Sequence, residues 1–331
     1  MKIYINRKIQ EGYVDEDILK GETWDYLISS IKQQKCTAVI GPEAHVPWIP
    51  KDMDIAKQWA EEKGYPLQES YQLSRVAQFL AIQEADELYP KRVLSGILDQ
   101  RRPPDFFDEQ YRNTPYAVLA DLKLPVYITT NYDHLMEAAL ESRGRTPASE
   151  LCIWKDSLNN IWDYYESVFD KRGGSKYQPT VANPLVYHLH GDFKVPDSMV
   201  LTESDYIDFV IKLHKEGPGK GSILPFLIQK LLATSALLFV GYSLDEINFR
   251  IILQSLMRFI TMRPPYPDIC VQIADTFLIT EDNEEKRREK QIQIKNYLKN
   301  YIKNVFKLNI FWGNTENFCT ELRERMFGGQ K

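Results

Sequence analysis

The chain has 331 residues, 44% of them hydrophobic and 26% charged, and its formal net charge is −5. This balance is ordinary for a globular protein, and the negative charge argues against a nucleic-acid binder that relies on bulk electrostatic attraction. No apolar run approaches the ~20 residues of a membrane-spanning helix, and the amino terminus lacks the apolar core of a signal peptide. We therefore expect a cytoplasmic protein with no membrane contact and no direct nucleic-acid contact.

Hydrophobic periodicity predicts an alternation of strands and helices. In chain order the predicted elements are a helix over 22–34, a strand over 36–41, a helix over 53–63, a mostly helical stretch over 67–115, a strand over 125–130, a helix over 133–141, and strands over 185–189, 237–240 and 275–280. This order favours an α/β fold with an open, mostly parallel sheet covered by helices on both faces. We expect a single domain over 1–331, with 67–115 as a helical insertion that forms a small subdomain and 281–331 as a helix–strand–helix completing the domain.

The four cysteines do not suggest a metal site. They lie far apart and form no Cys-x-x-Cys pair, whereas a structural zinc normally takes its cysteines in closely spaced pairs. We read them as reduced, buried thiols and predict no zinc and no other metal. The residues are Cys36, Cys152, Cys270 and Cys319.

Three short polar strings directly follow buried strands of the predicted sheet. They are Thr-Thr-Asn-Tyr-Asp at 129–133, His-Leu-His-Gly at 188–191 and Gly-Tyr-Ser-Leu-Asp at 241–245. The carboxyl ends of parallel strands meet at one edge, and open α/β sheets bind nucleotides there. We expect the three strings to converge on one pocket.

In their order, the strings resemble those of the sirtuin-like family, whose members cleave NAD at the bond between nicotinamide and ribose. That family carries Thr-Gln-Asn-x-Asp, His-Gly and Gly-Thr-Ser strings. The resemblance is closest to bacterial sirtuin-like NAD hydrolases of anti-phage defence systems, which also tend to show Thr-Glu-x-Asp-Tyr, as at 202–206, and Phe-Trp-Gly before a last helix, as at 311–313. It spans residues 36 to 327 and implies a Rossmann-like fold that releases nicotinamide and ADP-ribose from NAD.

The resemblance also bears on deacylation and on how the chain is activated. Protein-deacylating sirtuins carry a four-cysteine zinc ribbon in their small domain, and this chain has no cysteine pairs to build one, so deacylation is only a third reading. Defence effectors resemble one another in being held inactive until triggered. This implies a homo-oligomer, or a sensor or ATPase partner protein, that activates the chain.

His190 is the leading candidate for the catalytic base. It follows a buried strand and precedes Gly191, where the backbone is expected to turn sharply, and its near-neutral pKa suits a base that acts on a ribose hydroxyl or a water. The alternative is a structural histidine that satisfies a buried backbone group. His188 shares the strand face by period-two alternation and is the fallback. Metal binding by this pair would require a carboxylate or a third histidine nearby.

The remaining candidates surround the substrate. Asn131 suits a ribose hydroxyl or an attacking water, and by resemblance Asp133 accepts from the nicotinamide carboxamide. The alternative is that Asp133 caps the helix that follows, and the two roles are compatible in part. Trp48 could form a lid over the nicotinamide or simply pack. The full set expected to bind NAD is Gly41, Trp48, Thr129, Thr130, Gly241, Tyr242, Ser243 and Asp245.

The first loop departs from the family. Sirtuin-like proteins usually place Gly-Ala-Gly after the first strand, whereas this chain reads Gly41-Pro42-Glu43. Pro42 has no N–H to donate to a phosphate. A carboxylate at Glu43 would repel a pyrophosphate about 4 Å away by on the order of 1–4 kcal/mol. Either the diphosphate shifts, or Glu43 turns away, or affinity falls. The site could also have decayed, leaving a regulatory subunit that binds NAD or ADP-ribose.

Overall fold

The computed structural model describes residues 21–44, 47–158, 167–169, 177–216, 222–242, 253–254, 256, 259, 269–273, 283–306 and 309–328. The strands are β1 (Cys36–Ile40), β2 (Val126–Thr129), β3 (Ala148–Leu151), β4 (Leu185–His188), β5 (Ala236–Tyr242), β6 (Ile269–Ile273) and β7 (Asn309–Trp312). The helices are α1 (Gly21–Lys32), α2 (Asp52–Lys63), α3 (Leu73–Gln83), α4 (Tyr89–Asp99), α5 (Pro115–Asp121), α6 (Leu135–Glu141), α7 (Glu203–Glu216), α8 (Phe226–Thr234), α9 (Glu284–Phe306) and α10 (Thr315–Phe327).

The strands form one seven-stranded sheet in the order β3-β4-β2-β1-β5-β6-β7. Every pair of neighbouring strands is parallel, which confirms the predicted open parallel sheet. Strand β1 lies between β2 and β5. The strands β2 to β4 lie on one side of β1, and the strands β5 to β7, which follow in the chain, lie on the other side. Such a reversal opens a crevice at the carboxyl ends of the strands, where α/β sheets bind ligands.

Helices cover both faces of the sheet because the strand side chains alternate between two hydrophobic clusters. Within β1, Ala38 and Ile40 belong to one cluster and Val39 to the other. Residues of helices α1 to α6 and of α10 pack in the first cluster, and residues of α7 to α9 pack in the second. This arrangement is the predicted α/β fold.

The expected helical insertion consists mainly of α3 and α4. Both contribute to the first cluster, through Leu80 and Leu94 for example, so they share a core with the sheet. The division of the chain into a main domain and a small subdomain stays a prediction.

Two strands of the sheet were not predicted. The sequence of β3, Ala-Ser-Glu-Leu, has no β-branched or aromatic residue, and its first two side chains are only partly buried, so its apolar signal is weak. Strand β6 precedes the strand predicted over 275–280, which lies outside the described residues. By contrast, α2 ends as predicted at Gly64, whose φ is +69°. None of the described helices is both long and apolar enough to cross a membrane.

Candidate functional site

Asn131 is the centre of a buried hydrogen-bond cluster at the carboxyl end of β2. Its Nδ2 donates to the carbonyl oxygen of Gly41 and to the hydroxyl of Tyr116, each over 3.0 Å. Its backbone N–H donates to Oγ1 of Thr129 over 3.0 Å. Asn131 therefore ties the loop after β2 to the loop after β1 and to α5. Its Oδ1 is buried and has no hydrogen-bond partner within the described residues.

Thr130 and Tyr242 form the floor of this cluster. Their hydroxyl oxygens lie 3.1 Å apart, and each lies 3.2 Å from the carbonyl oxygen of Ile40. Tyr242 is 1% exposed and Thr130 6% exposed. The structure thus brings two of the predicted NAD-binding residues together, in a role that joins β5, β1 and β2 below the loops.

Asp133 forms a hydrogen bond to the start of α6, although the N-cap position itself belongs to His134, whose side chain makes no cap hydrogen bond. Oδ1 of Asp133 accepts a hydrogen bond of 2.9 Å from the backbone N–H of Leu135, the first residue of α6. The Tyr116 hydroxyl donates to the same oxygen over 3.5 Å. Burial, together with the charge of Asp133, holds the pKa of Tyr116 well above its usual value, so this hydroxyl keeps its proton. Tyr116 carried no sequence signal, because its partners lie 15 and 17 residues along the chain.

Gly41 and Gly241 let two backbone segments approach closely. A Cβ on Gly41 would lie 2.6 Å from the carbonyl oxygen of Gly241. Gly241 has a φ of +82°, and a Cβ there would lie 2.6 Å from the backbone nitrogen of Ala44. Gly241 therefore accommodates the 3₁₀ turn at 42–44, and its expected contact with NAD stays a prediction.

The Glu43 carboxylate in that turn has a basic neighbour. Its Oε2 lies 3.6 Å from Nζ of Lys51, and both side chains are partly exposed. An exposed pair of this kind contributes about 0–1 kcal/mol to stability. This pair offsets part of the Glu43 charge, and the position of a diphosphate relative to Glu43 stays a prediction.

His190 lies in an aromatic niche. Its ring meets Tyr206 and Phe209 of α7 edge-on, at centroid distances of 5.4 and 5.1 Å. Burial lowers the pKa of His190 to about 3, so the imidazole is neutral at physiological pH. Its Nε2 is buried and has no hydrogen-bond partner in the described part of the chain. The ring is therefore neutral, and one of its nitrogens can accept a proton. A pKa of about 3 makes it a weaker base than the near-neutral value expected from the sequence.

The turn after His190 requires glycine, as expected. Gly191 has a φ of +89°, and a Cβ there would lie 2.2 Å from the carbonyl oxygen of Ser198. Tyr132 connects this turn to the Asn131 cluster. Its hydroxyl donates to the carbonyl oxygen of Val200 over 2.7 Å, and the N–H of Val200 donates to the carbonyl oxygen of His190 over 2.9 Å.

His188 does not share the surroundings of His190. Strand β4 ends at His188, so period-two alternation does not extend to residue 190, and the same-face expectation was wrong. Nε2 of His188 lies 2.7 Å from Oε1 of Glu137. Burial would lower the pKa of His188, but the Glu137 carboxylate outweighs it and raises that pKa to about 9. Burial would likewise raise the pKa of Glu137, yet the imidazole keeps it below its usual value.

A second histidine–carboxylate pair lies beside the first. Nε2 of His134 is 2.6 Å from Oδ2 of Asp192, and the rings of His134 and His188 are 5.4 Å apart. Burial acts to raise the pKa of Asp192, but the hydrogen bond from His134 lowers it. Sequence reasoning missed His134, Glu137 and Asp192, although the first two stand three residues apart just after the first string.

The other predicted site residues divide into two groups. Trp48 packs edge-on against Phe106 and Tyr111, at 5.9 and 6.0 Å between ring centroids, which supports its packing role. Its role as a lid stays a prediction. Ser243 and Asp245 lie outside the described residues.

Comparison with known families decides the relationship of this chain. The family model for the SIR2-like domain matches residues 125–302, more than half of the chain. The chain belongs to the SIR2-like family. The matched region includes all three strings, so the family resemblance drawn from them is confirmed.

Curated relatives of this SIR2-like chain are longer proteins. It is 24% identical over 218 residues to the NAD(+) hydrolase ThsA of Enterococcus faecium, covering 65% of this chain and 40% of the relative. It is 29% identical over 140 residues to the protein of that name from Acinetobacter baumannii (strain 532279), and 27% identical over 140 residues to that from Bacillus cereus (strain MSX-D12). Both of these matches cover 42% of this chain and 23% of the relative.

Proposed function

We propose that this SIR2-like chain hydrolyses NAD at the nicotinamide–ribose bond. The observation that carries the proposal is a pair of buried polar atoms, Asn131 Oδ1 and His190 Nε2, that have no hydrogen-bond partner within the described ranges. They belong to the two loops that the family uses for NAD. Leaving a buried polar atom unpaired costs about 1–3 kcal/mol, so each such atom needs an explanation. Ribose hydroxyls and a water molecule are donors that would satisfy both.

The proposed reaction adds one water across the glycosidic bond. The electron pair of that bond goes to the cationic nicotinamide ring, which leaves neutral, while positive charge develops on the ribose. Water adds to the ribose carbon and loses one proton, giving ADP-ribose. In this scheme His190 takes a proton from a ribose hydroxyl or from the water, and Asn131 orients that group. Asp133 accepts from the nicotinamide carboxamide while its Oδ1 keeps the hydrogen bond from Leu135.

The biological role we propose is that of a cytoplasmic anti-phage effector that depletes NAD when triggered. The relatives named NAD(+) hydrolase support the reaction, and the resemblance to defence proteins supports activation by a partner protein or by oligomerisation. Because this chain spans 40% or less of the length of these relatives, activity must be tested on this chain itself.

A specific observation favours a second candidate, a regulatory subunit that binds NAD or ADP-ribose without turnover. The turn at 42–44 carries Pro42, which has no N–H, and Glu43, which is acidic, and it packs directly on Gly241. A phosphate beside this turn would find no N–H at Pro42 from which to accept a hydrogen bond.

The deciding experiment measures NAD loss and nicotinamide release for the full chain and for the variants His190→Ala and Asn131→Ala. It is run in cells that co-express the neighbouring genes, with and without phage, since the isolated protein could be inactive. His214→Ala, at an exposed position of α7, is the matched histidine control. Protein levels and melting temperatures show that each variant is folded.

Loss of NAD in the parent chain and in His214→Ala, but not in His190→Ala, would support hydrolysis. Full activity of a folded His190→Ala would refute the assigned base. No NAD loss under any trigger, together with NAD or ADP-ribose binding by the purified protein, would establish the regulatory subunit instead.

A further inference from the structure

His134, Glu137 and His188 form a buried cluster that the proposed reaction does not use. One nitrogen or carboxylate oxygen from each residue lies within 4.8 Å of the others. Glu137 is 6% exposed and His188 is fully buried, while the His134 side chain retains 25% exposure and lies at the outer side. Two imidazoles and one carboxylate are a ligand set that Zn²⁺ takes in proteins.

Two atoms of this cluster are left without a hydrogen-bond partner among the described residues. They are Oε2 of Glu137 and Nδ1 of His188, both buried. The other polar atoms of these two side chains, Oε1 and Nε2, lie 2.7 Å apart. Glu137 thus keeps Oε2 unengaged, and an ion is one of the few things that explains such an atom in a folded protein. Nδ1 of His188 lies on the far side of the ring from Glu137, so His188 would bind an ion through Nε2, in place of its hydrogen bond to Glu137.

Asp192 and Ser149 provide the surroundings that metal ligands usually have. A ligating histidine commonly donates through its other nitrogen to a carboxylate, which fixes the orientation of the ring. The 2.6 Å contact between Nε2 of His134 and Oδ2 of Asp192 matches this pattern and leaves Nδ1 of His134 for an ion. The Ser149 hydroxyl donates to Oε1 of Glu137 over 2.6 Å and orients that carboxylate.

We propose that His134, Glu137 and His188 bind one divalent transition-metal ion of the Zn²⁺ class. His134 and Glu137 stand three residues apart at the start of α6 and so face the same side, and His188 closes the site from the end of β4. The ion would join the loop that carries Asn131 and Asp133 to the strand that leads to His190. Three protein ligands leave one position for water.

Such a site differs from the sirtuin zinc ribbon and could not be read from the cysteines. The sequence considered a metal only for the pair His188 and His190 with a carboxylate or a third histidine nearby. The fold instead places His134 and Glu137 beside His188, without His190. The proposal concerns the binding of an ion and stands whether or not the chain hydrolyses NAD.

The test uses the purified full chain, stripped with a chelator, dialysed, and titrated with Co²⁺ and then with Zn²⁺. We expect one equivalent of Co²⁺ per chain, visible absorption bands of low-symmetry four- or five-coordinate Co²⁺, displacement by Zn²⁺, and a higher melting temperature with either ion. Asp192→Asn, which keeps the side-chain shape, should weaken Zn²⁺ binding by about 10–100-fold. His134→Ala, at the partly exposed ligand, should remove the absorption bands.

His214→Ala, an exposed histidine of α7, controls for adventitious binding and should bind like the parent chain. The absence of stoichiometric Co²⁺ and Zn²⁺ uptake by the parent chain would overturn the proposal and leave the cluster as hydrogen-bonded ion pairs. Uptake that survives unchanged in folded His134→Ala and Glu137→Gln would overturn it equally. Because metal is read directly, neither result depends on NAD turnover.

Discussion

The buried ion pair between Lys91 and Asp205 offers a quantitative test of how α4 is held against α7. Nζ of Lys91 lies 2.8 Å from Oδ1 of Asp205, and the two side chains are 2% and 12% exposed. At an effective dielectric constant of 20 the attraction at this distance is about 6 kcal/mol, most of it offset by lost hydration. Oδ2 of Asp205 also accepts from the backbone N–H groups of Leu201 and Thr202, over 3.1 and 2.9 Å.

Asp205→Asn keeps the shape of this side chain and removes its charge, so Lys91 is left as an unpaired buried cation. Removing one partner of a buried pair lowers the free energy of unfolding by about 3–5 kcal/mol. Burial lowers the pKa of Lys91, and Asp205 is the main group that opposes this effect. The variant can therefore respond by releasing the lysine proton, which at pH 7 costs about 4.6 kcal/mol relative to an unfolded pKa of about 10.4.

Because the variant can release the Lys91 proton, its predicted loss of stability depends on pH. The unfolded chain binds the lysine proton more tightly than the folded variant does, so the stability of the variant rises with pH. The cost of releasing the proton falls to about 2 kcal/mol at pH 9. Urea unfolding of the parent chain and of Asp205→Asn at pH 7 and pH 9 measures both quantities.

Lys91→Met is the matched variant, because it removes the cation and leaves Asp205 with its two backbone donors. The double variant should be more stable than Asp205→Asn alone, since no buried charge is then unpaired. A loss below about 1 kcal/mol for Asp205→Asn, or a loss that does not shrink at pH 9, would refute the reasoning that Lys91 is charged and buried.

Three further substitutions test the loops at the site. Gly191→Ala should lower the free energy of unfolding by at least about 2 kcal/mol, because its φ is positive and the new Cβ would meet Ser198; urea unfolding measures this. Tyr116→Phe should cost about 1 kcal/mol of stability but lower kcat for NAD cleavage about tenfold or more, because Asn131 loses one of its anchors. Glu43→Gln should strengthen NAD binding several-fold in calorimetry, since a carboxylate near the expected diphosphate is neutralised.

For each of these three substitutions, one result would contradict the prediction. A Gly191→Ala protein as stable as the parent would mean that the turn after His190 can relax without cost. A Tyr116→Phe enzyme with unchanged kcat would show that Asn131 is held well enough by its contact to Gly41. Unchanged or weaker NAD binding by Glu43→Gln would place the diphosphate away from the turn at 42–44.

The sequence predicted the sheet better than the site. Buried parallel strands such as β2 and β5 are nearly continuous apolar runs, so they stand out from the chain. Position in a strand also predicted that Gly41, Thr130 and Tyr242 would meet, because the carboxyl ends of adjacent parallel strands share one edge. Such patterns could not show what each residue would lie against. Gly241, for example, lies against the chain's own turn at 42–44, and this depends on how the loops pack.

The pairs His134–Asp192 and His188–Glu137 escaped prediction for a related reason. Their members lie 58 and 51 residues apart, and each belongs to a residue type that is common on surfaces. Only the parallel pairing of β2 with β4 places the loop that follows β2 beside the carboxyl end of β4. A sequence periodicity reports the neighbours within one element, so contacts between elements of this kind carry no local signal.

The buried unpartnered atoms give the strongest physical argument that this edge of the sheet binds something. Asn131 Oδ1, His190 Nε2 and Glu137 Oε2 have no hydrogen-bond partner in the described part of the structure, and they lie in the two strings or the helix that follows the first. At about 1–3 kcal/mol each, leaving all three unpaired would use much of the 5–15 kcal/mol by which a typical domain is stable. Ligands that supply donors or positive charge here would therefore stabilise the fold as well as react. Substrate and metal should each raise the melting temperature, and each should do so through different residues.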